Sequence, residues 1–247
     1  IVSTTDRWNP HAEDAIQGQQ IPVRRIGLAD LEASTIDWNA FDWATPEALP
    51  VTDKKKLRPH QKKAIEDVCR GLATADRGKL IMACGTGKTF TSLRLAEQLV
   101  GAGGSVLFLV PSISLLSQTL REWATEAEVP LASLAVCSDR KATARSKATN
   151  EDISAVDLAL PSTTNIAVLE SRWTQAVGET GSMTVVFATY QSIDVVAQAQ
   201  QQGDLPAFDL IVCDEAHRTT GATLAGENES AFVRIHDAAY IRGDKRL

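Results

Sequence analysis

The stretch Lys79–Gly101, KLIMACGTGKTFTSLRLAEQLVG, sets a run of small residues between a greasy segment and an amphipathic one. Lys79–Ala83 is apolar and predicts a buried strand. Phe90, Leu93, Ala96 and Val100 recur at helical spacing, and Gly101 stands where a helix C-cap belongs. Between strand and helix lies Cys84-Gly85-Thr86-Gly87-Lys88-Thr89, the layout in which loop amides and a helix N-terminus converge on an anion. A Walker A loop adds a lysine that reaches the β/γ-phosphates and a hydroxyl that holds Mg²⁺, here Lys88 and Thr89. The stretch therefore points to a nucleoside triphosphate with Mg²⁺. A strict Walker A loop also wants glycine at position 82, where this chain has Met82.

Three further apolar runs predict strands covered on both faces: SVLFLV (Ser105–Val110), MTVVFA (Met183–Ala188) and FDLIVC (Phe208–Cys213). LASLAVC (Leu131–Cys137) is a fifth candidate. Helical patterns separate them. ISLLSQTLREWATEA carries Leu116, Leu120 and Trp123 on one face, and QSIDVVAQAQQQ follows Tyr190. This alternation predicts an α/β fold, doubly wound around a mainly parallel sheet, with ligands at the carboxyl ends of the strands. A polar insertion around 138–181 breaks the pattern and carries one expected helix near Val168–Ala176. Residues 1–50, with Trp8, Trp38 and Trp43 in acidic and proline-containing sequence, read as a lead-in packing on a domain that spans 51–247.

Hydrophobic content of 44% and charged content of 23% over 247 residues are those of an ordinary globular chain. No apolar run approaches the roughly 20 residues that a bilayer span needs, and no signal-peptide layout opens the chain, so no membrane partner is expected. Cys69, Cys84, Cys137 and Cys213 stand singly, without a CxxC pair, as in a reduced cytoplasmic protein. A net charge of −6 neither demands nor excludes nucleic acid, since a local basic track suffices. Asp53–Lys63 (DKKKLRPHQKK) and Ser138–Asn150 (SDRKATARSKATN) are each such a track or a solvated face. The chain begins at Ile1 and ends in RIHDAAYIRGDKRL, and both ends read as cut from a larger protein.

The second chemical signal lies in FDLIVCDEAHRTTG, a strand delivering Asp214 and Glu215 at its carboxyl end. This is the Walker B arrangement, in which the aspartate completes the Mg²⁺ shell. The neighbouring Glu215 is then the candidate general base for the attacking water. An acidic pair alone is commonly surface decoration; a buried strand before it and a phosphate loop upstream make that reading untenable.

With both motifs in hand, the chain resembles the superfamily 2 helicases and translocases, whose first motif, A-x-x-G-x-G-K-T, does not require glycine at position 82. The resemblance implies a RecA-like P-loop NTPase lobe that binds ATP and Mg²⁺. Asp214-Glu215-Ala216-His217 is the DEAH form of motif II, and His217 would link the nucleotide to neighbouring motifs or to a second lobe. LRPHQKKAI resembles the Q-motif region, which would set Gln61 against the adenine edge with Arg58 nearby. LVPSISLLSQ resembles motif Ia, with Ser112 and Gln118 in register. FATYQSI resembles the segment beside the nucleic-acid track and would bring Thr189, Tyr190 and Gln191 to the sugar-phosphate backbone. Capping of the following helices by Ser112 and Ser192 is the ordinary alternative for these two stretches.

Departures narrow the branch. Ile113 stands where DEAD-box RNA helicases carry arginine, and Arg218-Thr219-Thr220-Gly221 follows the box where DEAH-type RNA helicases usually have glutamate. DEAHRTTG is similar to the motors of restriction enzymes that translocate on duplex DNA. VSTTDRWNPHAEDAI and RIGLADLEASTIDW resemble the segment joining nuclease to motor in single-polypeptide type ISP restriction–modification enzymes. PSTTN, with Thr163 and Thr164, is similar to a threonine-bearing loop of that group. The resemblance implies double-stranded DNA as partner, together with a second RecA-like lobe and nuclease and methyltransferase domains on the same polypeptide. Lacking the arginine finger of a second lobe, residues 1–247 alone are expected to bind ATP–Mg²⁺ and hydrolyse it very poorly. Two other readings stand beside this one: a strand-separating DNA or RNA helicase, and an ATP-binding regulatory or scaffold module without turnover. Glu215 speaks against the last, since a pure binder needs no base there.

Overall fold

The structure, a computed structural model, describes residues 53–137, 162–178, 180–216 and 234–247, together with scattered positions among the first 51. The chain divides into two compact units, residues 1–55 and 56–247. In the first, isolated bridges join Val2 to Ile26 and Ile36 to Val51. Trp8, Trp38 and Trp43 lie outside the described residues, as do 138–161 and His217.

The second unit is a five-stranded parallel sheet between helices. Its elements run α1 (Pro59–Leu72), α2 (Lys88–Leu99), β1 (Ser105–Val110), α3 (Ile113–Glu126), β2 (Leu131–Val136), α4 (Ile166–Val177), β3 (Met183–Thr189), a 3-10 turn (Tyr190–Ser192), α5 (Ile193–Gln202), β4 (Phe208–Cys213) and β5 (Gly243–Arg246). The strand order is β2-β3-β1-β4-β5, and all four pairings are parallel.

Period-two alternation in β1 explains why its run is continuously apolar. Leu107 and Leu109 face the cluster built on Leu169 and Trp173 of α4 and Ile193 and Val196 of α5. Val106, Phe108 and Val110 face Leu93 of α2 and Leu116, Leu120 and Trp123 of α3. Trp123 stands edge-on to Phe108 and Phe187 at centroid distances of 5.1 and 5.6 Å. Such edge-to-face pairs are each worth about 0.5–1.5 kcal/mol beyond the area they bury. A second tie crosses the sheet's amino end, where Asp209 accepts hydrogen bonds from the amide and hydroxyl of Ser105 (2.7 and 2.9 Å).

Two features depart from the sequence expectation. Lys79–Ala83 is not a strand: Ile81 is 90% exposed, and pairing with β5 stops at a single Arg77–Arg246 bridge. The amide of Gly78 bonds to Arg246 O and the amide of Arg246 to Asp76 O, after which β5 gives way to Leu247. An apolar run without a neighbour to take its N–H and C=O groups cannot become a strand. Conversely, Gly243–Arg246 forms β5 although GDKR carries no strand pattern. Gly243 allows the close approach, since a Cβ there would lie 2.6 Å from Cδ1 of Ile211 on β4.

Candidate functional site

Lys88, Thr89, Asp214 and Glu215 lie where strands end at their carboxyl termini and α2 begins. Gly87 is the N-cap of α2 and has φ +81°, with no side chain to cap the first turn. Gly85 has φ +74°. Both angles lie in the left-handed region that favours glycine. The loop between them is pinned by Thr86, whose hydroxyl donates to Ala83 O at 2.7 Å. The amides opening α2 are thus left for an anion, and Cys84 is exposed beside them.

Lys88 and Thr89 open α2. The carbonyl of Thr89 is gripped from behind by Trp123 Nε1 (3.2 Å) and by the hydroxyl of Ser92 (2.8 Å). This support is invisible in the motif; the signal for it was only Trp123 on the buried face of its helix pattern. Lys88, Thr89, Asp214 and Glu215 line one cavity of about 400 Å³, closed on its apolar side by Leu80, Met82 and Phe108.

Asp214 and Glu215 leave β4 in a tight turn. The amide of Asp214 extends the β1 ladder by bonding to Leu109 O at 2.9 Å, and Asp214 Oδ1 accepts the Glu215 amide at 2.9 Å. Glu215 is left-handed, φ +54°. Burial pushes the Asp214 carboxyl above its ordinary 3.8, with the charge of Glu215 acting in the same sense; the Glu215 amide and Lys88 oppose them.

Gln61 is buried, and each of its two polar side-chain atoms bonds to protein. Its Oε1 accepts the amide of Arg58 (2.8 Å), and its Nε2 donates to Thr86 O (3.0 Å). The residue expected at the adenine edge therefore braces the phosphate loop, while the Arg58 side chain is exposed. His60 approaches the same Thr86 carbonyl at 3.3 Å.

The residues expected on the DNA track separate into two groups. Ser112 and Gln191 are exposed just past the exits of β1 and β3, Thr164 is exposed beside the end of β2, Gln118 is exposed in the second turn of α3, and Thr163 is half-buried. Ser112 also acts as N-cap, accepting the amide of Leu115 at 3.3 Å. Thr189 and Tyr190 depart from the expectation. They are 4% and 0% exposed, and their hydroxyls are spent inside the protein, on Ser192 Oγ (3.2 Å) and Asp214 O (2.9 Å). Thr189 ends a strand whose every residue is buried, and Tyr190 opens the turn that follows it, also buried.

Among the described residues no cluster of three or more His, Cys, Asp or Glu side chains is arranged for a metal ion, and no helix is long and apolar enough to cross a membrane. None of the four cysteines is in a disulfide.

Against known proteins, residues 54–241 match the family model described as the type III restriction enzyme, res subunit. Residues 1–48 match a restriction endonuclease model. The whole chain superposes on a DNA-bound ATP-dependent type ISP restriction-modification enzyme, LlaBIII, with 43% identity and a TM-score of 0.84, covering 16% of that protein. A nuclease-deletion mutant of the type ISP enzyme LlaGI, in complex with a DNA substrate mimic, matches 78% of the chain at 42% identity and a TM-score of 0.62, over 17% of its own length. The "Probable helicase" of African swine fever virus is 30% identical over 164 residues, which are 66% of this chain and 16% of the viral protein. With residues 54–241 matched, well over half of its length, the chain belongs to the family of the type III restriction enzyme res subunit.

Proposed function

We propose that this chain is the first RecA-like lobe of an ATP-driven motor that moves along double-stranded DNA, working within a longer restriction enzyme. The observation that carries the reading is the cavity shared by Lys88, Thr89, Asp214 and Glu215 at the carboxyl edge of a parallel sheet. In the proposed cycle the amides of Gly87–Thr89 and the Lys88 ammonium hold the β- and γ-phosphates. Mg²⁺ suits the site: a hydroxyl and a carboxylate are hard oxygen donors, and a cation relieves the burial and like charge that raise Asp214. Thr89 and Asp214 would hold that ion, which neutralises charge developing on the phosphates. Glu215 takes a proton from water as its oxygen attacks the γ-phosphorus, and ADP leaves.

Two type ISP relatives support DNA as the track, since one is bound to DNA and the other to a DNA substrate mimic. The exposed candidates Ser112, Thr164 and Gln191 share the edge on which the nucleotide would sit, so one motion of that edge would reach both ligands. We assign the second lobe, the nuclease and the methyltransferase to other parts of the same polypeptide, and the cytoplasm as its location.

The test is triplex displacement by the full-length polypeptide, run beside a strand-separation assay, with Lys88→Ala as the dead control. Displacement of the third strand without separation of the duplex is expected. Separation of the duplex would make the protein a helicase; ATP binding without turnover in either assay would make it a sensor.

A further inference from the structure

At the carboxyl edge of the sheet, one side chain reaches across a whole strand. Tyr190 begins the turn after β3, while Asp214 follows β4, and the strand order puts β1 between them. Two strand spacings are about 10 Å. The Tyr190 hydroxyl nevertheless donates a 2.9 Å hydrogen bond to the backbone carbonyl of Asp214. Its neighbour Gln191 donates from Nε2 to Pro111 O at the exit of β1 (3.3 Å), so the turn is anchored on the strand it crosses.

The carbonyl that Tyr190 holds belongs to the peptide joining Asp214 to Glu215. That peptide leads into the one non-glycine residue with positive φ among the described residues, Glu215 at +54°. A side chain in the left-handed region persists only when its surroundings over-determine it. Here the peptide is gripped at both ends: its N–H by Asp214 Oδ1 and its C=O by Tyr190. Asp214 N, bonded to Leu109 O, fixes the preceding unit. The ring is wholly buried.

We propose that Tyr190 is a positioning residue for hydrolysis: its hydroxyl fixes the Asp214–Glu215 peptide and so aims one carboxylate at Mg²⁺ and the other at the water. This rests on the ATPase reading above. It also gives Tyr190 a role other than the DNA contact its sequence position suggested.

The experiment is Tyr190→Phe in the full-length polypeptide, which removes one oxygen and keeps the ring. KM for ATP within twofold of wild type, kcat lower by about tenfold, and a several-fold rise in the Mg²⁺ concentration for half-maximal turnover are expected. p-Aminophenylalanine at position 190, which restores an N–H donor at the same place, should recover much of kcat. A purely structural role would lower thermal stability while leaving the Mg²⁺ requirement alone, and that outcome overturns the proposal, as does recovery of Tyr190→Phe in an unfolded form. Lys88→Ala and Asp214→Asn run in the same assay separate the two levels. If both retain turnover, the ATPase reading itself fails; if both abolish it while Tyr190→Phe behaves as wild type, only the role of Tyr190 falls.

Discussion

Replacing Gly87 by alanine sets two separable costs on one atom. At φ +81° an L-residue carries left-handed strain of about 1–2 kcal/mol. The new Cβ would also lie 2.6 Å from Nε2 of Gln61, a contact that real Cβ atoms do not tolerate. The amide must move, and it is 4% exposed and bonded to Thr86 O at 3.0 Å, so about 1 kcal/mol of hydrogen bond goes with it. The sum is about 2–3 kcal/mol, or roughly 30- to 150-fold in the affinity of any anion that requires this loop, at 1.4 kcal/mol per decade. Gly85→Ala is the internal control: φ is +74°, yet nothing lies within 4 Å of its Cβ, so it should show the strain alone, roughly 5- to 30-fold. Titration of residues 1–247 with a fluorescent ATP analogue, with circular dichroism to verify folding, measures both. Equal losses in the two variants would refute the role given to Gln61 as a brace; wild-type binding by Gly87→Ala would refute the loop as the phosphate site.

Glu215→Gln in the full-length polypeptide should keep ATP affinity within a few-fold and lower steady-state turnover by about 10²–10⁴, the usual loss for a general base; unchanged phosphate release would move the base elsewhere. Asp214→Asn should raise the melting temperature of the metal-free lobe at neutral pH. The folded pKa lies above 3.8, so the fold disfavours the ionised form, and that penalty is full above the folded pKa. It disappears as pH falls through that pKa, so the two melting curves should converge towards pH 3.8, and saturating Mg²⁺–ATP at neutral pH should reverse their order. An advantage of aspartate in the metal-free protein at neutral pH would contradict the shift. Residues 1–247 assayed alone should release phosphate far more slowly than about 1 s⁻¹, with or without duplex DNA, because an arginine finger from a second lobe is worth about 10³–10⁵; robust DNA-stimulated turnover would mean the lobe is self-sufficient.

The central strands were legible because their environment is uniform. Buried on both faces, Val106–Val110 is apolar throughout, and the same holds for Val185–Ala188. At the sheet's edge that logic lapses. GDKR becomes a strand through backbone bonds to β4 that no side chain advertises, while Lys79–Ala83 has apolar side chains and no ladder to join. The site followed the same division. Lys88, Thr89, Asp214 and Glu215 stood out because their types and spacing match what phosphate and metal chemistry would ask for, and the fold brings them to one cavity. Gln61 and Tyr190 were expected to face ligands, but whether a side chain at a strand or helix end turns outward depends on what lies across from it. For Gln61 that is the Thr86 carbonyl, for Tyr190 the Asp214 carbonyl, each donated by a distant segment.

The strand order has a further consequence for how such a chain is made. β1 occupies the centre of the sheet, yet its partners β3 and β4 are both encoded far downstream of it. At ordinary synthesis rates, the roughly one hundred residues between Val110 and Cys213 take about 5–20 s to appear. Until Met183–Thr189 is made, SVLFLV, six residues that end fully buried, has neither neighbour to pair with, and it waits for β4 through the whole interval. A short, uncharged, strongly β-forming segment left waiting is an aggregation hazard. The helices already emerged, α2 and then α3, are the available cover, and Leu93, Leu116 and Trp123 pack on that segment's Phe108 face in the finished lobe. The helical layer that supports the phosphate loop thus doubles as a shield for the nascent sheet.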